Sequence, residues 1–172
     1  IFALSLKDGS IVQGWPLDVA DVLRAKGRTF APIDQNQRSA LTLFNGTLYV
    51  AFGGHFGDCG DYHGWVVGVP LHDPKNVSSF ETRAHGGGIW APGGLSVAGN
   101  DLFFATGNTF AAKTWSDGEA VFRVAPDLAR SDDKQNYFAP SDWQLLDRED
   151  GDLGGSNPIP LDVAGVNGGR QA

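Results

Sequence analysis

The stretch ALTLFNGTLYVAFGG, residues 40–54, recurs 54 positions later as GLSVAGNDLFFATGN, residues 94–108, with no gap. Leu41 aligns with Leu95, Leu43 with Val97, Leu48 with Leu102, Tyr49 with Phe103, Ala51 with Ala105 and Gly53 with Gly107. Each copy alternates apolar with small or polar residues on both sides of an Asn/Gly pair, the pattern of two strands joined by a tight turn. A recurrence at this period constrains the fold more than composition does. Each copy is then one supersecondary unit that buries its apolar face against a neighbour.

A second element recurs beside the first. IFALSL (1–6), VVGVPL (66–71) and VFRVAP (121–126) share a strand-like pattern, at spacings of 65 and 55 residues. The first is followed by KDGSIVQGW, an Asp-Gly turn and a strand closing on Trp15. GGSNPIPLDV, residues 154–163, reads as the opening strand of another unit. The repeat is thus about four strands over roughly 55 to 65 residues. Units are expected at about 1–35, 36–90, 91–150 and 151–172 of a single domain. One short helix is expected in LDVADVLRAKG, with Asp18 as its cap, Val19, Val22 and Leu23 as its apolar stripe, and Gly27 at its end. The remainder reads all-β.

Composition agrees: 24 glycines and 11% aromatic residues suit short strands and tight turns. The net charge of −7 comes without any basic cluster, which speaks against a nucleic-acid partner. No apolar run approaches the length of a membrane-spanning helix. The chain opens at Ile1 directly into an apolar alternation and contains no Met, so it reads as a fragment or a processed chain, cut inside a structural unit. The missing partner strands are then expected from further blades or another chain, because an open sheet face and a free edge invite association. A single cysteine makes no internal disulfide.

IFALSLKDGSIVQGW resembles the end of a quinoprotein-type blade repeat, an apolar strand with Ala-Leu, an Asp-Gly turn and a closing Trp. The run from Asn36 to Asn108, with DLGGSNPIPL downstream, is similar to PQQ-like (pyrroloquinoline-quinone-like) β-propeller proteins. The resemblance implies a propeller of about six to eight four-stranded antiparallel blades, of which this chain supplies a partial ring of about three. It also implies export, to the periplasm or the cell exterior. Two functions follow from it. One is a module that presents loops and an axial funnel to a small ligand or a protein, with no catalytic residue assigned. The other is a portion of a PQQ-dependent dehydrogenase whose site is completed by other blades. The family's vicinal cysteine pair cannot exist in a chain with one cysteine, and no base or Ca²⁺ triad maps onto it.

The densest chemistry lies in HFGDCGDYHGW, residues 55–65. His55, Asp58, Cys59, Asp61 and His63 offer imidazole, carboxylate and thiolate groups that suit Zn²⁺ or another divalent transition metal. The same loop also reads as one pinned by its own polar side chains, with Tyr62 and Trp65 packed between units. Cys59 is a poor nucleophile candidate, since the carboxylates beside it raise a thiol pKa. DREDGDLGGSN, residues 147–157, places Asp147, Glu149, Asp150, Asp152 and Asn157 together as hard oxygen donors for Ca²⁺ or as a solvated acidic turn. In GGGIWAPGG, Trp90 either floors a cofactor pocket or docks one unit on the next. Sequons stand at Asn45 and Asn76, both at expected turns.

Overall fold

The structure, a computed structural model, describes residues 1–110 and 112–161. Two four-stranded antiparallel sheets dominate it, each in simple meander order. The first comprises β1 (Thr42–Phe44), β2 (Thr47–Phe52), β3 (Trp65–Pro70) and β4 (Ser78–Glu81). The second comprises β5 (Ser96–Ala98), β6 (Asp101–Thr106), β7 (Ala120–Val124) and β8 (Tyr137–Phe138). The 54-residue recurrence is therefore structural: β5 and β6 begin and end 54 positions after β1 and β2.

The turns explain why those hairpins close where they do. Asn45 and Gly46 both have positive φ, 48° and 71°, so a two-residue turn pairs Phe44 with Thr47. In the second copy Gly99 alone is positive, at 61°, and Ala98 pairs with Asp101. Two turn chemistries thus give one register.

Strand alternation then sorts the side chains into two cores. Tyr49, Ala51 and Val66 face the second sheet and meet Leu102, Phe104, Phe122 and Val124. Phe80 lies edge-on to Phe104, with ring centroids 5.0 Å apart, and 5.1 Å from Phe122. The other face of the first sheet, with Val50, Phe52, Trp65, Val67 and Val69, packs against the helix α1 (Val19–Arg24) and Phe30. Asp18 caps α1 by accepting from the Asp21 N–H at 3.1 Å. Leu23 and Ala20 are its buried residues, while Val19 and Val22 pack only in part.

Other parts of the sequence reading differ. Residues 1–15 form a single β-bridge, Leu4 to Ile11, rather than two full strands. Trp143–Glu149 form a second helix, α2, followed by a 3-10 turn at Leu153–Gly155. The opening strand expected at 154–163 is not formed over 154–161, where Leu161 alone is a bridge residue, and Asp162 and Val163 lie outside the described residues. None of the described helices is long and apolar enough to cross a membrane.

Phe104 is fully buried between two other phenylalanines, whereas Leu6 is fully exposed. Phe104→Ala is expected to cost about 3–5 kcal/mol. Leu6→Ala should stay within about 0.5 kcal/mol, both read from urea midpoints.

Candidate functional site

At the end of the sheets where β2 and β6 run out, a glycine connector ties the two together. Gly86 N donates to Tyr62 O at 2.9 Å, Gly64 N to Gly86 O at 3.1 Å, and Gly87 N to Asn108 O at 2.6 Å. The chain at 86–88 is thereby threaded between residues 62–64 and 107–109. Thr82 Oγ1 sits at the crossing, accepting from Gly64 N at 2.8 Å and donating to Gly86 O at 3.1 Å.

The His55–Asp61 loop stands on this base and is exposed throughout. The phenol of Tyr62, itself fully buried, donates to Asp58 Oδ1 at 2.8 Å. Burial and the Asp58 carboxylate push that phenol well above its ordinary value. His85 Nε2 lies 3.0 Å from Gly60 O, and its ring is edge-on to Tyr62. Gly54 permits this packing, since a Cβ there would lie 2.3 Å from the Tyr62 ring.

The five residues singled out in this loop go different ways. His63 turns inward, with Nδ1 2.9 Å from Thr82 O. Asp58 is taken by Tyr62, and Cys59 Sγ is 3.8 Å from Gly57 O. His55 and Asp61 point to solvent with Phe56, which is fully exposed. Among the described residues, no three His, Cys, Asp or Glu side chains form a group able to hold a metal ion.

Trp90 lies at the junction of the sheets and is 7% exposed. Its Nε1 donates to Gly54 O at 3.4 Å, and the Arg38 guanidinium lies 5.3 Å from the centre of its ring. A Cβ on Gly107 would be 2.3 Å from both Trp90 Cζ3 and Asp152 Oδ1. The indole edge and the carboxylate therefore meet over that glycine.

Two carboxylates here are incompletely satisfied. Glu119 is wholly buried; its Oε2 accepts from Leu153 N at 2.8 Å, and its Oε1 has no partner among the described residues. Burial pushes its carboxyl up to about 7, with Asp152, Asp147 and Asp150 adding to the rise and the Leu153 N–H opposing it. Asp152 has a buried Oδ1 with no partner among the described residues, and burial lifts it to about 6, assisted by Asp150 and Asp58 and opposed by an Asn108 backbone N–H and by Arg38.

The acidic run from 147 to 157 is dispersed around this point. Asp147 accepts from Thr109 N and Oγ1 at 2.9 and 2.6 Å, beside a cleft of about 320 Å³ that Gln144 and Arg148 also line. Asp150 ends α2 in a left-handed conformation, and Glu149 lies 3.4 Å from Arg148. Asn157 bonds Gly93 N and Gly94 O. Glu119 escaped the sequence reading because SDGEA looks like a polar turn; the N–H that its carboxylate accepts comes from Leu153, 34 residues on.

The chain matches no protein-family model, no curated protein and no solved structure.

The raised Glu119 value makes stability depend on pH. Its folded-state value exceeds the ordinary 4.5, so its contribution is complete below about 4.5 and is lost as pH rises through about 7. The loss is of the order of 3 kcal/mol. The urea midpoint of the native chain should fall between pH 5 and pH 8 more steeply than that of Glu119→Gln. Parallel profiles would contradict the burial assigned to this carboxyl.

Proposed function

We propose that the chain is part of an exported PQQ-like β-propeller that serves as a binding module, and that it binds through the His55–Asp61 loop. The observation that carries this reading is Phe56, fully exposed at the tip of a loop whose base is fixed by Tyr62, His85 and the glycine connector. A large aromatic held out on a rigid base exposes apolar area at little entropic cost, the property of an interface anchor. Asp58 and Asp61 share the exposed loop with it, and exposed Asp150 adds to the upward shift of the Tyr62 phenol, so the surface is acidic. With a net charge of −7, it favours a cationic partner. The two meander sheets, repeated at 54 residues and stacked face to face, support the blade reading.

The dehydrogenase alternative needs an open aromatic face and cationic groups for a flat, anionic quinone. Trp90 offers no open face: the Arg38 guanidinium lies over its ring, and its edge is closed by glycine backbone and Asp152. The residues around it do not fit PQQ.

Two titrations test the reading, one with an arginine-rich peptide and one with PQQ plus Ca²⁺. The peptide should bind in a salt-sensitive manner, and Phe56→Ala should weaken it by about fivefold or more. PQQ absorbance retained through gel filtration, or peptide affinity unchanged in Phe56→Ala, would overturn it.

A further inference from the structure

The segment between Asp147 and Asn157 is fixed at both ends and lightly held in the middle. Asp147 accepts from Thr109 N and Oγ1, while Asn157 bonds Gly93 N and Gly94 O. Between these anchors Asp150 and Asp152 have positive φ, 55° and 29°, a region that residues other than glycine enter at a cost. Within 150–156 only Gly154 is fully buried, and it lies flat on Gly107, where a Cβ would be 2.4 Å from Gly107 N. A segment with so little buried apolar surface opens at a lower free energy than the sheets behind it.

Two carboxyl groups fasten this segment to the end of β6 and the start of β7. Glu119 Oε2 accepts from Leu153 N at 2.8 Å, and Asp152 accepts from the Asn108 backbone N–H. Their other oxygens, Glu119 Oε1 and Asp152 Oδ1, are buried with no partner among the described residues. Such a carboxyl is tolerated as a neutral acid and penalised as an anion. The charges around the pair add to that penalty. Asp147 and Asp150 face Glu119 from α2 and its end, Asp58 and Asp150 face Asp152, and Asp152 also acts on Glu119. Against them stands Arg38, exposed over the Trp90 ring. Asp117, two residues before Glu119, is committed to Arg83 and Arg130, and the Tyr62 phenol near Asp152 donates to Asp58.

We infer that residues 150–156 form a proton-controlled latch, closed on the sheets while Glu119 and Asp152 are neutral and released when they ionise. Release takes Leu153 N off Glu119 and lifts Asp152 from over Gly107, where it meets the edge of Trp90. The indole edge and two carboxylates then reach water together. The sign follows from the raised values, about 7 for Glu119 and about 6 for Asp152: closure is favoured in acid, and the advantage is lost as pH rises through 6 to 7. The latch goes beyond the binding reading above and does not depend on Phe56.

Hydrogen exchange of the full chain, followed by mass spectrometry at pH 5 and pH 8 and corrected for the intrinsic pH dependence of exchange, tests it. Protection of the 150–157 peptide should fall by about tenfold or more between the two, and at pH 8 this peptide should exchange well ahead of β6 and β7. Glu119→Gln, neutral at every pH, should retain most of that protection at pH 8. Asp152→Asn, at a half-buried position, should retain part of it. Equal protection of the native segment at the two pH values overturns the inference. So does exchange of 150–157 in step with the strands at pH 8, or a native-like pH dependence in both variants.

Discussion

The contact on which the structure depends is the interlocking of three phenylalanines between the sheets. Phe80 comes from β4, Phe104 from β6 and Phe122 from β7, with all three pairs of ring centroids between 5.0 and 5.7 Å. Such contacts combine large apolar burial with the edge-on and offset geometries that aromatic rings favour. Because strands alternate, committing these rings to one face leaves Trp65, Val67 and Val69 to the opposite face, where α1 and Phe30 close the second core. Beside the rings, Asp117 is fully buried and is bonded by Arg83 at 2.6 Å and Arg130 at 2.8 Å. The arginines also lie over Trp115 and Phe80. Breaking that pairing would leave a buried charge unmatched, so it pins the loops at the rim of the aromatic core.

The chemistry at the other end is a by-product of the same packing. For Trp90 to fill the junction, its neighbours at 53, 88 and 107 must lack side chains, and the space over Gly107 is shared by the indole edge and Asp152. The segment that delivers Asp152 also closes over Glu119. Two acids end in poorly solvated positions because the chain needs a compact plug there. The exposed chemistry lies on the adjoining His55–Asp61 loop, whose Asp58 adds to the upward shift of Asp152.

How legible this was depended on whether residues answer to local pattern. Thr42–Phe52 and Ser96–Thr106 are readable because period-two alternation and the Asn/Gly turns act within a dozen residues. The same holds for Asp18, whose carboxylate caps the helix three residues on. α2 has no side-chain cap and no buried residue, so it lacks an apolar stripe to read. Asp117 and Glu119 look like turn residues until Arg83 and Leu153, each 34 positions away, are brought to them. His63 sits among possible metal donors in sequence but is turned toward Thr82 by the path of β4. In each case the deciding partner is remote in the chain.

The sheet-to-sheet contact has a consequence in symmetry. The face that the first sheet offers, with Tyr49 and Ala51, is not the face that the second uses to receive it, with Leu102 and Phe104. The interface is heterologous, a head-to-tail join rather than a self-complementary one. A two-fold contact consumes its own surface and stops at a pair, whereas a head-to-tail one uses a different face on each partner. Growth by that operation ends only when its rotation returns to the start, and a small change in the angle between successive sheets separates a closed ring from an open filament.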